Sequence, residues 1–165
     1  MLFLRQSQGE INSDGVLEWE NSEISGYEME KTSDGGYIIL GEHGVSGKAG
    51  DILFIQTDKE GYHQNQVTYG GSDNDGARQM IQTSDGGYII LGNSGSSIWL
   101  IKTDSNGNEE WNQTFGGSDW DYGYSIQQTT DGGYIITGVT RSFGNGGNDV
   151  WLIKTDSEGN TVSID

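Results

Sequence analysis

The sequence predicts an all-β protein made of small repeated antiparallel sheets, and three observations lead there. The first is residue usage. In 165 residues there are only two alanines, Ala49 and Ala77, the apolar positions are mostly Ile, Leu, Val, Tyr and Trp, and 28 glycines stand beside no proline. β-Branched and aromatic side chains suit pleated strands, while glycine, asparagine and aspartate shape turns where proline is missing. The second is a repeat. TSDGGYIILG begins at Thr32 and again at Thr83, and TTDGGYIITG begins at Thr129, at spacings of 51 and 46 residues. The third is that two further motifs keep phase with it. DILFIQTDKEG starts at Asp51, SIWLIKTDSNG at Ser97 and DVWLIKTDSEG at Asp149, while VTYGGSDND starts at Val67 and QTFGGSDWD at Gln113. Sparse apolar residues and a net charge of -17 would alone fit a disordered chain. Three motifs in one fixed order argue for a repeat fold instead.

Each unit resolves into four strands. Strand A precedes Asp-Gly-Gly, over residues 79–83 and 125–129. Asp-Gly-Gly then makes a tight hairpin turn, because glycine takes φ > 0 without a Cβ clash. Strand B follows at 37–40, 88–91 and 134–137. A variable Gly- and Ser-rich connection (41–50, 92–97, 138–148) leads to strand C at 52–57, 98–103 and 150–155. A second turn, such as Asp104-Ser105-Asn106-Gly107, leads to strand D at 109–115, and Gly116-Gly117 opens the way to the next unit. Strands B and C are continuous apolar runs, which call for burial of both faces. Strand D carries Asn112, Gln113 and Thr114 and reads as an outer, wetter strand. A sheet buried on both faces needs another sheet on each side, and radial stacking of blades supplies it. The expected fold is therefore a β-propeller with three four-stranded antiparallel blades per chain.

The blades make one repeat domain over 1–165, divided into a partial blade at 1–26 and blades at 27–71, 78–118 and 124–165. The N-terminal segment 12–19 aligns with 104–111, so the chain opens on a strand D near 16–19, after a degenerate strand C at 2–8. The last unit supplies A, B and C, with 161–165 where D belongs.

The composite pattern DVWLIKTDxxGNxxW…TFGGSxxDxGxSIQQTxDGGYIITG resembles a large group of bacterial and archaeal β-propeller repeats. It is also similar to the seven-bladed repeats of secreted and surface proteins from such organisms. The resemblance covers nearly the whole chain from Asn12. It implies blades, Asp- and Gly-bearing turns, and inter-blade packing by the strand C aromatics Phe54, Trp99 and Trp151. It also implies an extracellular or cell-surface setting. Members of this group usually close a ring within one chain, and this chain carries fewer repeats than that. Such a resemblance speaks to architecture rather than activity.

Charge and composition exclude several function classes. Twenty-five Asp and Glu against eight Lys and Arg repel nucleic acid and anionic membrane surfaces. No stretch approaches the roughly 20 apolar residues of a membrane span, and MLFLRQ is too short for a signal-peptide core. Without cysteine there is no disulfide framework and no thiolate chemistry. His43 and His63 fall in non-equivalent loops, and no GxSxG or HExxH occurs, so hydrolase machinery lacks its parts. The glycine pairs lack the Lys-Ser/Thr and helix of a phosphate loop. The expectation is a non-enzymatic module with no cofactor.

Asp73/Asp75 and Asp119/Asp121 sit at equivalent points and offer closely spaced oxygens to calcium. The full calcium-loop signature is missing, so these side chains are expected to shape turns by accepting backbone hydrogen bonds, with no metal bound. The Trp and Tyr on strands B and C, namely Tyr37, Tyr88, Tyr134, Trp99 and Trp151, read as core, but Trp120 sits between two Asp in a D–A connection. In a meander the D–A and B–C connections share one face, and the B–C loops vary. That face is the candidate ligand site, with Asp73, Asp75, Asp119, Trp120 and Asp121 joined by Glu42, His43, Lys48 and Arg141. The sequence does not reveal the ligand, and it leaves both a protein and a glycan open. The spare N-terminal strand D and the unfinished last blade point to self-association. The favoured form is a homodimer, with each copy's strand D completing the other's last blade in a ring of six. An open head-to-tail assembly, or a piece of a larger propeller enzyme or surface protein, is the alternative.

Overall fold

The computed structural model describes residues 10–11, 17–18, 23–44 and 50–163, and the described residues contain strands and turns but no helix. β1 (Glu10–Ile11) pairs antiparallel with β2 (Leu17–Glu18). The first full sheet holds β3 (Glu23–Lys31), β4 (Tyr37–Gly44), β5 (Asp51–Thr57) and β6 (His63–Tyr69). The second holds β7 (Asp75–Gln82), β8 (Tyr88–Ser94), β9 (Ser97–Thr103) and β10 (Glu109–Phe115). The third holds β11 (Asp121–Gln128), β12 (Tyr134–Thr140) and β13 (Asp149–Thr155). Every neighbour is sequential and antiparallel, so each sheet is a meander. Beyond β13, Thr161 bridges Thr155, and the Val162 N–H donates to the Lys154 carbonyl at 2.9 Å.

Strands A and B outrun their expected ends. β7 begins at Asp75 and β11 at Asp121, and they pair with the far ends of β8 at Ser94 and β12 at Thr140. The first sheet likewise takes in Glu23, so residues 23–26 belong to it rather than to the partial N-terminal unit. The cause is a β-bulge in each first strand, between Gly26 and Glu28, between Ala77 and Gln79, and between Gly123 and Ser125. A bulge inserts one residue and shifts the inward-outward alternation, so pairing continues where the apolar pattern breaks. Much of the variable B–C connection is therefore strand. In the second sheet only Gly95 and Ser96 remain as the turn.

The Asp-Gly-Gly turns use their two glycines differently. Gly35, Gly86 and Gly132 have φ of 94°, 89° and 84°, as expected for the hairpin. The second glycine clears a close approach: a Cβ on Gly36, Gly87 or Gly133 would stand 2.3, 2.1 and 2.1 Å from the carbonyl oxygens of Thr57, Thr103 and Thr155. The turn aspartate accepts from its neighbours. Asp85 Oδ1 takes the Thr83 hydroxyl at 2.6 Å and the Gly87 N–H at 3.0 Å.

The core lies between sheets. Ile38, Leu40, Ile52 and Phe54 of the first sheet meet Ala77, Met80, Tyr88 and Ile90 of the second. Ile89, Leu91, Ile98 and Leu100 of the second meet Ile126, Tyr134, Ile136 and Ile153 of the third. The second sheet is thus buried on both faces, while β6 and β10 show the alternating exposure of outer strands. The strand C aromatics Phe54, Trp99 and Trp151 all pack between sheets, but not from one face. Phe54 pairs with Leu40 and packs forward, edge-on to Tyr88 at 5.4 Å between ring centroids. Trp99 and Trp151 stand opposite Gly92 and Gly138, and Leu53, opposite Gly41, is their true counterpart. Phe54 therefore projects from the other face of its sheet, because one step along a strand reverses the side-chain direction.

First strands also tie neighbouring sheets together. Glu28 of β3 accepts from the Met80 N–H of β7, and Gln79 of β7 accepts from the Ile126 N–H of β11 at 2.8 Å. Each bond satisfies a donor on the next sheet's unpaired edge, where an open donor would otherwise invite foreign strands.

Candidate functional site

The D–A and B–C connections do share one face, because hydrogen bonds join them. The Asp75 N–H donates to the Gly50 carbonyl and the Asp121 N–H to the Ser96 carbonyl, each at 2.8 Å. The Gly95 N–H reaches Asn74 O and the Arg141 N–H reaches Trp120 O, each at 3.0 Å.

The carboxylates expected here divide by burial. Asp121 is fully buried and closed in by donors: Thr140 Oγ1 on Oδ1, and Ser142 Oγ at 2.6 Å with the Gly117 N–H at 2.9 Å on Oδ2. Burial pushes its carboxyl up, but these hydrogen bonds outweigh that and hold it below the usual range. Asp75 is 2% exposed, and its Oδ2 takes the Gly71 N–H at 3.0 Å. Its Oδ1 is buried with no hydrogen-bond partner. Asp73 and Asp119 are exposed. Among the described residues no three Asp, Glu, His or Cys side chains stand close enough together to hold a metal ion.

Depressions open on this face. A shallow one of about 430 Å³ is lined by Asp119, Arg141, Gly147 and Asn148, with Arg141 Nε on Asn148 Oδ1 at 2.6 Å. A deeper cleft of about 470 Å³ spans all three sheets. Tyr27 and Glu42 come from the first sheet, Asp75, Arg78 and Asn93 from the second, and Trp120 with Tyr122 from the third. Trp120, 48% exposed, stacks on Tyr122 with centroids 5.8 Å apart and planes 18° apart. Tyr27 donates its hydroxyl to Glu42 Oε2 at 2.9 Å, and that bond, more than burial, pushes the phenol up. Glu42 Oε1 accepts the Ala77 N–H at 2.8 Å.

The structure thus brings Asp75 and Trp120 to one cleft, with Glu42, and Asp119 and Arg141 to the shallow depression. Asp121 serves the interior. Asp73 lies beside the Gly95 turn, where a Cβ on Gly95 would come 3.9 Å from its Cβ. His43 lies within β4, opposite Asp51, and His63 starts β6, so both expected loop histidines are strand residues. Lys48 lies outside the described residues. Sequence reasoning missed Tyr27 and Arg78. Both are the extra residue of a first-strand bulge, as is Tyr124 in the third sheet, and all three are exposed. A bulge re-aims a side chain. The signal was present as a large residue at one fixed offset before each Asp-Gly-Gly, in Gly26-Tyr27, Ala77-Arg78 and Gly123-Tyr124. In a comparison with known proteins, no family model matches the chain and no curated protein is significantly similar to it.

Proposed function

We propose that the chain is a non-enzymatic β-propeller binding and scaffold module whose sheets are blades of a ring closed by a homodimer. Four-stranded meanders, polar last strands and first strands stacked against one another support the propeller. The observation that carries self-association is the forward face of the third sheet. Val150 and Leu152 are 91% and 43% exposed there, whereas their counterparts Ile98 and Leu100, and Ile52 and Phe54, are fully buried beneath the next sheet. Among the described residues nothing covers this face, and the two repeated contacts inside the chain display the kind of surface that would. The binding face is the one that carries the cleft.

Light scattering of the purified chain tests closure. Twice the chain mass is expected, falling to the single-chain mass when Val150→Glu and Leu152→Glu are combined. A wild-type monomer at micromolar concentration would sink the proposal. A second reading has its own support. Thr161 and Val162 already bond to Thr155 and Lys154 on the open edge of β13, so an exchanged strand D would have to displace them. Face-to-face stacking into an open head-to-tail assembly needs no such displacement, and its scattering mass would grow with concentration without levelling off.

A further inference from the structure

We propose that the cleft between the sheets binds a neutral saccharide, laying one face of a sugar ring on the Trp120–Tyr122 pair. The inference rests on the reading of this face as a binding face, but not on ring closure, since all the lining residues named come from one chain. The aromatic pair is the first ground. Its rings are stacked and Trp120 is half exposed. The repeat shows that the fold does not need them: Asn74 and Gly76 occupy the same two places at the start of β7, and Glu23 and Ser25 occupy them in β3. A large exposed apolar surface that architecture does not require marks a place where something docks. The apolar C–H face of a pyranose matches such a flat platform in size and shape.

The polar lining selects the charge of the occupant. No described carboxylate lies within ion-pair distance of Arg78. Its unpaired guanidinium opposes an ammonium ligand, although Trp and Tyr platforms otherwise suit one. Glu42 and Asp75 oppose a carboxylate or phosphate, as does the net charge of -17. A neutral polyol both donates and accepts, so it can satisfy the guanidinium and the acidic side together. Asp75 adds a second, independent sign of a missing donor. Its counterpart Asp121 has both oxygens bonded, whereas Asp75 Oδ1 has none and is closed to solvent. The two-residue turn Gly95–Ser96 lines the same cleft.

The test is tryptophan fluorescence titration, confirmed by calorimetry, with a fixed panel at millimolar concentration. The panel holds cellobiose, mannobiose, lactose, N,N′-diacetylchitobiose and their tetrasaccharides, with a glucuronic-acid disaccharide and choline as charged arms. Saturable binding of at least one neutral member is expected. Trp120→Ala and Tyr122→Ala should each weaken it about tenfold or more, with Arg78→Gln weakening it less and the melting temperature unchanged. The proposal is overturned if no neutral member binds, if only a charged arm binds, or if Trp120→Ala binds as wild type does. Light scattering on the same samples reports association separately, so a failure of ring closure and a failure of the cleft are told apart.

Discussion

At the residue scale the turns hold the most local chemistry. Asp85 is held down to about 2, chiefly by the Thr83 hydroxyl, with the Gly87 N–H and Lys102 adding to it. The Thr32 hydroxyl lowers Asp34, the Thr129 hydroxyl lowers Asp131, and the side chains of Asn108 and Asn160 lower Asp104 and Asp156. A carboxyl whose folded value lies below its unfolded one contributes stability above the unfolded value, lost as pH falls through the folded value. With an unfolded value of about 3.9, the melting temperature should drop between about pH 4 and about pH 2. Asp85→Asn should flatten that drop, and a melting profile level to pH 2 would contradict the account. The glycines give a separate test in urea. Gly87→Ala drives a Cβ into the Thr103 carbonyl and should cost about 2 kcal/mol or more, while Gly86→Val, at φ 89°, should cost about 1–2 kcal/mol. Wild-type midpoints in both variants would refute the two-glycine turn.

At the element scale the first strands decide how sheets meet. Gln79→Ala removes the acceptor for the Ile126 amide and should cost about 1 kcal/mol, with faster hydrogen exchange at that amide. If neither changes, the side-chain bond does not hold the sheets. Legibility from sequence also divides at this scale. Strand order, both glycine turns and the polar last strand were readable, because each depends on neighbours a few residues apart. The extended first strands were not, because a bulge at Ala77/Gln79 restarts the alternation that would reveal them. The same gap hid Tyr27 and Arg78 from the candidate site, although Trp120 stood out as an aromatic with no packing reason in the sequence. The opposite facing of Phe54 and Trp99 was legible as well, since the aligned motifs put Phe54 fourth and Trp99 third, one step apart along the strand.

At the scale of the whole molecule, a pair of equivalent leucines separates a covered face from an open one. Leu100 lies buried between the second and third sheets, and Leu152 holds the same place on the third sheet's outer face. Leu100→Ala should cost about 2–5 kcal/mol. Leu152→Ala should cost little in an isolated chain, but approach the Leu100 value where a second copy covers it. In that case the melting temperature should also rise with protein concentration. Equal, concentration-independent losses at both sites would mean that Leu152 is buried by its own chain.

The bonds between first strands have a further consequence, in time rather than in space. The acceptors Glu28 and Gln79 each come earlier in the chain than the Met80 and Ile126 amides they bind. During synthesis the N-terminal part emerges first. Each sheet, once formed, therefore already displays the anchor on which the first strand of its successor can settle.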